Sequence, residues 1–398
     1  MRRKTTGVFL ICYFAYVSIY VARLNLSMAA PALKELAVLT TAQIGFLGSM
    51  FSVVYACGRL LSGIIGDRTA PWKMISFGLI LCGISNCLIG LFPPYIAFLL
   101  LWGVNAFAQS MLWGPILRIL SAIYPEELAK KRASYMGTAV AAGNMAAILL
   151  NTELINRWGA QWAFLVPGCV TLVLCTFVLL RTRTISPAQA ESIKTGYLDL
   201  LKNKTLQSML IPAVIHGVMK DNISLWMTVY VMEKFGINLE QSAYFILLIP
   251  ALGFVGRMIA PALFRFSHGQ ERPLLIGSYL TCAICSLLLI LLPVSAWAAV
   301  IYLSLIYMAV SVINACMLAF FPIQFSHEGH VASVSGIMDF ATYLGTGLSA
   351  MVYGMMIENW GFGSMYISWM VLSILAIPLL QNQKRGVKHE PKSNPDMH

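Results

Sequence analysis

Charge is what this sequence has least of. Only 11% of its 398 residues are Asp, Glu, Lys or Arg, against about 25% in a soluble globular domain. With 59% hydrophobic residues and a mean hydropathy of +0.76, that deficit excludes a water-soluble fold. Polar stretches are equally scarce: 181–206 is the longest before the charged tail that starts at Gln381. The nine cysteines are odd in number, lack framework spacing and all sit in apolar runs. They read as buried packing thiols, including Cys282 and Cys285 despite their redox-like spacing. No phosphate-binding loop, HExxH helix or nucleophile elbow occurs. The sequence therefore supports no enzyme, no cofactor and no metal site.

Long apolar segments are what the chain has instead. Twelve are expected, at 7–33, 41–65, 74–92, 95–123, 134–157, 160–180, 207–233, 240–263, 273–292, 296–322, 332–358 and 362–381. Each is long enough to cross a bilayer core of about 30 Å as a helix. The first is no cleavable leader, because its apolar run outlasts a signal peptide and Arg23 interrupts it. The expected fold is an all-α membrane protein of two pseudo-symmetric six-helix bundles. Its divisions are 1–180, a cytoplasmic linker 181–206, a second bundle 207–381, and a disordered cytoplasmic tail 382–398.

The net charge of +11 does not point to nucleic acid, because the cations gather in alternate loops. Arg2, Arg3 and Lys4 fall on one side with Arg68, Lys73, Lys130, Lys131 and Arg132. Arg181, Arg183, Lys194, Arg265, Arg272, Lys384 and Arg385 join them. Basic loops face the cytoplasm, so a multi-pass plasma-membrane protein with both termini cytoplasmic is expected.

Self-similarity at about half the chain length marks an internal repeat. Cys57-Gly58-Arg59 pairs with Val255-Gly256-Arg257, and Asn156-Arg157-Trp158-Gly159 with Glu358-Asn359-Trp360-Gly361. Arg23 in the first span answers Lys220 in the seventh. Charge inside a membrane is costly and marks function. Helical spacing puts Tyr13, Tyr16, Tyr20, Arg23 and Ser27 on one stripe, and Ser52, Tyr55, Arg59 and Ser62 on another. Further polar faces carry His216, Lys220 and Ser224; Ser304, Tyr307, Ser311 and Asn314; and Asn105, Gln109 and Trp113. Lipid cannot satisfy such faces, so they must meet around water or a ligand. A cavity rich in Arg and Lys selects anions. Asp221 and Asp339 are the carboxylates deepest in apolar sequence. Each is a candidate proton-coupling site or a counter-charge to a neighbouring cation. Arg118, near the end of its span, is read as pairing with a helix-end carbonyl.

The segment Gly63-Ile64-Ile65-Gly66-Asp67-Arg68-Thr69-Ala70-Pro71-Trp72-Lys73 resembles the loop between helices 2 and 3 of the major facilitator superfamily, with Ala70 in place of a glycine. The resemblance implies two bundles rocking around a midplane site, with Gly63, Asp67 and Arg68 serving the conformational change. Finer motifs resemble the organophosphate:phosphate antiporter family. Tyr20-Val21-Ala22-Arg23-Leu24-Asn25 is similar to its helix-1 motif, whose arginine binds phosphate. Lys220, six residues before Trp226, stands where that family has a second arginine. Gln109 to Pro115, with Arg118, is similar to its helix-4 pattern. Arg59 takes the place of a cavity lysine and Tyr307 of a helix-10 tyrosine, and Tyr343-Leu344-Gly345 resembles its helix 11. Gly143 replaces a histidine of the glycerol-phosphate branch, and Asn144 beside it joins the expected lining. Arg257 is a cation where the family has an uncharged residue.

The expected substrate site is therefore Arg23, Lys220, Arg59, Tyr20, Gln109, Trp113, Tyr307, Arg257, Asn144 and Tyr343. The expected activity is secondary transport of a small organic anion, with a phosphate ester exchanged for phosphate as the leading case. Proton-coupled symport of a sugar acid or carboxylate is the alternative, since related anion:cation symporters share the helix-1 arginine. A transporter-like ligand sensor is a third class. The expected partners are a small anionic substrate and the bilayer, with no nucleic acid and a monomeric state.

Overall fold

Proline or glycine sits at most of the breaks in an otherwise continuous run of helix. The computed structural model describes residues 2–183, 197–236, 239–293 and 295–381. All regular structure among them is helical: α1 Arg2–Glu35, α2 Thr41–Arg68, α3 Pro71–Ile89, α4 Tyr95–Ser110, α5 Trp113–Ile123, α6 Glu126–Trp158, α7 Trp162–Thr182 and the short α8 Tyr197–Leu201. Then follow α9 Lys204–Phe235, α10 Leu239–Phe266, α11 Glu271–Leu291, α12 Ala296–Ala315, a π-turn Cys316–Phe320, α13 Phe321–Gln324, α14 Val331–Trp360 and α15 Phe362–Gln381. Ten segments among the described residues are long and apolar enough to span a membrane, α4–α5 and α12–α13 each counting as one. With α9 and α10, of 32 and 28 residues, they match the twelve expected. Several helices outrun their apolar cores: α6 begins at Glu126 rather than at 134, because the helix continues into its basic, amphipathic end.

The breaks have local causes. Thr40 caps α2 reciprocally with Gln43: Gln43 N donates to Thr40 Oγ1 at 3.2 Å and Thr40 N to Gln43 Oε1 at 2.9 Å. The repeated Trp-Gly pairs are helix ends. Gly159 at φ +100° closes α6 and Gly361 at φ +72° closes α14, a conformation that favours glycine. Pro115 cannot donate to the carbonyl four residues back and clashes with it, and the chain breaks between α4 and α5 at Met111-Leu112. Pro322 has the same effect on Leu318, and here the π-turn intervenes.

In the first half α3 packs on α4 and α7, α1 on α6 and α7, and α2 on α4. In the second half α14 packs on α9, α11 on α12 and α15, and α10 on α12. Two seams join the halves, α2 against α14 and α6 against α10. Residues 184–196 of the expected linker and the tail 382–398 lie outside the described residues.

Candidate functional site

The α2–α14 seam is built from small residues. A Cβ at Gly63 would lie 2.7 Å from Ala332 O, and one at Gly336 would strike Arg59 O. Backbones therefore approach closely at the end of the bundle that holds the start of α1. Asp67 secures the contact: its carboxylate accepts from Ala332 N and Ser333 N, both at 2.8 Å, at the N-terminus of α14. A carboxylate is favoured there by the free amides and the helix dipole. Arg118 lies 4.0 Å from Asp67 and donates to Gly66 O and to Thr69 O, the latter at 2.7 Å. That is the helix-end pairing expected of it. Arg68 is exposed. On the same side Lys130 of α6 bridges Glu126 at 3.0 Å and Glu271 of α11 at 2.9 Å. This end is closed. Past Tyr343 this close approach ends: a Cβ at Gly45, Gly48 or Gly347 would meet nothing within 4 Å.

Deeper in the seam, Arg59 forms an ion pair with Asp339 across the halves. Its guanidinium also donates to Ser110 O at 3.2 Å and Ser335 Oγ at 3.4 Å. Both charges are buried. Asp339 thus has an inter-half partner, one of the two roles expected of it. Asp221 is half-exposed beside Lys220, at 3.7 Å.

Arg23 is held differently. Its guanidinium carbon lies 4.2 Å from the centre of the Tyr55 ring, 4.7 Å from Tyr20 and 5.1 Å from Phe51. Its Nε donates to Gln109 Oε1 at 3.0 Å. Behind Gln109 runs a buried amide chain. Gln109 and Asn86 both donate to Asn105 Oδ1, at 3.1 and 3.0 Å, and Asn25 donates to Asn86 Oδ1 at 2.7 Å. Asn86 was missed by sequence reasoning, although a lone Asn in the apolar α3 is the signal that could have found it. One Arg23 Nη is buried without a partner, and among the described residues no carboxylate pairs with this arginine. On the far side of the seam Lys220 sits 5.0 Å from the Tyr343 ring, and Tyr343 meets Tyr55 edge-on at 5.2 Å. The cations of the two halves are thus joined through Tyr55 and Tyr343.

Beneath that aromatic pair lies a central cavity lined by Tyr16, Tyr20, Tyr55, Trp113, Lys220, Arg257, Asn314, Asp339 and Tyr343, among others. Trp113 lies tilted against Tyr16 with ring centres 5.2 Å apart, and its Nε1 donates to Leu318 O at 2.9 Å, the carbonyl that Pro322 leaves free. Of the expected substrate site, Tyr20, Trp113, Lys220, Arg257 and Tyr343 border this lumen, together with the coupling candidate Asp339. Arg23, Arg59, Gln109, Tyr307 and Asn144 stand outside the lining in this conformation. Arg23 and Gln109 lie behind the tyrosines. Tyr307 is a half-buried residue that crowds Gly253, and Asn144 is half-buried beyond Gly143, which fits against Tyr20. Such a lumen offers a small anion cationic and phenolic partners from both halves.

Comparison with known proteins agrees with this geometry. The Major Facilitator Superfamily model matches residues 12–350. The membrane sensor protein UhpC of Salmonella typhimurium is 23% identical, over 95% of this chain and 92% of that protein. A probable hexose phosphate transport protein of Chlamydia muridarum is 21% identical over 93% and 89%. The glycerol-3-phosphate transporter of Haemophilus influenzae is 24% identical over 61% and 59%. The structure of the transporter FucP in the outward conformation superposes with a TM-score of 0.76 at 15% identity, covering 94% of this chain and 97% of that one. This is a secondary transporter rather than an enzyme, and the chain belongs to the Major Facilitator Superfamily.

Proposed function

We propose that the protein moves a small organic anion across the plasma membrane by alternating access, with phosphate-ester exchange for phosphate as the leading case. The carrying observation is Arg23, half-buried, with no carboxylate partner among the described residues, and linked through Tyr55 and Tyr343 to Lys220 of the other half. An anion that neutralises both cations draws the bundles together, so occupancy couples to rocking. The hexose phosphate and glycerol-3-phosphate relatives support phosphate esters as cargo. A thermal-shift screen of purified protein tests this reading. Phosphate and phosphate esters should raise Tm while neutral sugars do not; stabilisation by sugars alone would sink it.

The buried Asp339 favours a second reading, proton-coupled symport of a carboxylate or sugar acid. Protonation would release Arg59 and loosen the closed end. The UhpC relative keeps a ligand-sensing role in view. In all three readings the basic loops place both termini in the cytoplasm and the protein acts as a monomer. The closed end is then cytoplasmic and the cavity faces outward. A reporter fused after His398 should be cytoplasmic and one inserted near Pro293 external. The reverse pattern would overturn the orientation.

A further inference from the structure

The two repeats do not balance their charge alike. Arg59 on α2 and Arg257 on α10 occupy matching repeat positions, and each faces a long helix of the opposite half. Arg59 meets α14 at Asp339, whereas Arg257 meets α6 at Gly137. The offset that lays Trp158-Gly159 on Trp360-Gly361 also lays Gly137 on Asp339. One repeat has a carboxylate where the other has only a hydrogen.

The vacancy at Gly137 is filled by the arginine itself. A Cβ there would collide with an Arg257 Nη, so the guanidinium occupies the space over Gly137 on α6. Ser134 Oγ, one turn away, donates to Arg257 O at 2.6 Å and fixes the backbone behind it. Arg257 lines the central cavity, and no carboxylate pairs with it among the described residues. Asp339 lines the same cavity but is already engaged by Arg59. A charge withdrawn from water without a counter-charge is costly, and here the open side of the guanidinium faces the lumen. Arg257 belongs to the α6–α10 seam, while Lys220 and Tyr343 cluster at the α2–α14 seam. The two cations are therefore on different walls.

We propose that Arg257 is a second anion subsite and that the cargo carries two separate acidic groups. One group is met by Lys220 and Arg23. The other, a carboxylate, docks on the Arg257 fork in the place that the first repeat gives to Asp339. The inference rests on reading the cavity as an anion-transport site.

The test uses the full-length purified chain and a matched pair of probes. Propylphosphonate has one acidic group; 3-phosphonopropionate has a carboxylate in place of the terminal methyl. Isothermal titration of the parent should show 3-phosphonopropionate binding at least tenfold more tightly. Arg257→Gln should bring the ratio of the two Kd values close to one. Gly137→Asp should do the same by supplying the missing internal carboxylate, while Arg257→Lys should keep part of the preference. Equal affinities in the parent, or an Arg257→Gln protein that loses both ligands by the same factor, would overturn the proposal. Because the parent ratio needs no variant, a variant that fails to fold does not shelter the idea. If the parent binds neither probe, the anion-transport reading falls as well. If it binds both equally and Arg23→Ala weakens them, only the two-acid proposal falls.

Discussion

Arg23→Ala protein, folded and in the membrane, should bind its anion roughly ten- to more than a hundredfold more weakly than the parent. The estimate follows from one lost charge-assisted hydrogen bond of about 1.5–3 kcal/mol. The structure explains why this position should be sensitive. Tyr20, Phe51 and Tyr55 surround the guanidinium and Gln109 fixes its Nε. The fork is thus pre-oriented before ligand arrives, and little ordering remains to oppose binding. Lys220→Ala should lose less, because a lysine offers no bidentate fork and Asp221 lies 3.7 Å away to offset its charge. Lys220→Arg should retain activity. Titration calorimetry on the two alanine variants settles the order. Parent-like affinity in both would remove Arg23 and Lys220 from the site.

Breaking the Arg59–Asp339 pair should have a comparably large effect on conformation rather than on affinity. Removing one member of a buried pair costs about 3–5 kcal/mol, because the remaining charge is stranded. Here the members belong to different halves, so the cost falls on the closed state and not on either bundle alone. Arg59→Leu or Asp339→Leu should therefore shift the population towards opening at the α2–α14 seam by more than a hundredfold. The double replacement should restore much of the closed state, since no charge is left stranded. Spin labels at Arg68 and His327, both exposed, can report the separation once the exposed Cys57 and Cys169 are replaced. Single variants should show a long, broad distance distribution and the double variant a short one. Identical distributions in all four proteins would mean the pair does not hold the seam.

The spans were legible because a long apolar run has only one solution in a bilayer. The Trp-Gly repeats were legible too, and their positive-φ glycines explain why both halves keep them. Less could be seen of the breaks inside spans. The interruption at Met111-Leu112 and the π-turn at Cys316–Phe320 depend on where Pro115 and Pro322 fall relative to a carbonyl, which hydropathy does not register. Which residues would share a stripe was visible from spacing, and Tyr20, Arg23, Tyr55 and Arg59 do gather at one seam. Their partners were not. Asp339 could have met any cavity cation, and the choice of Arg59 depends on the rotation of α14 against α2, which small residues such as Gly63 and Gly336 determine. The amide chain behind Arg23 was hidden for the same reason. Asn25, Asn86 and Asn105 lie on three helices, and only packing brings them together.

The central claim is that an anion binds between two rocking halves and is exchanged across the membrane. Counterflow in proteoliposomes tests it most directly. Vesicles loaded with a phosphate ester should take up labelled external phosphate rapidly. Vesicles that are empty or loaded with a neutral sugar should not, and Arg23→Ala protein should be inactive in all three. Uptake that ignores the internal anion, or that proceeds equally with Arg23→Ala, would contradict the account.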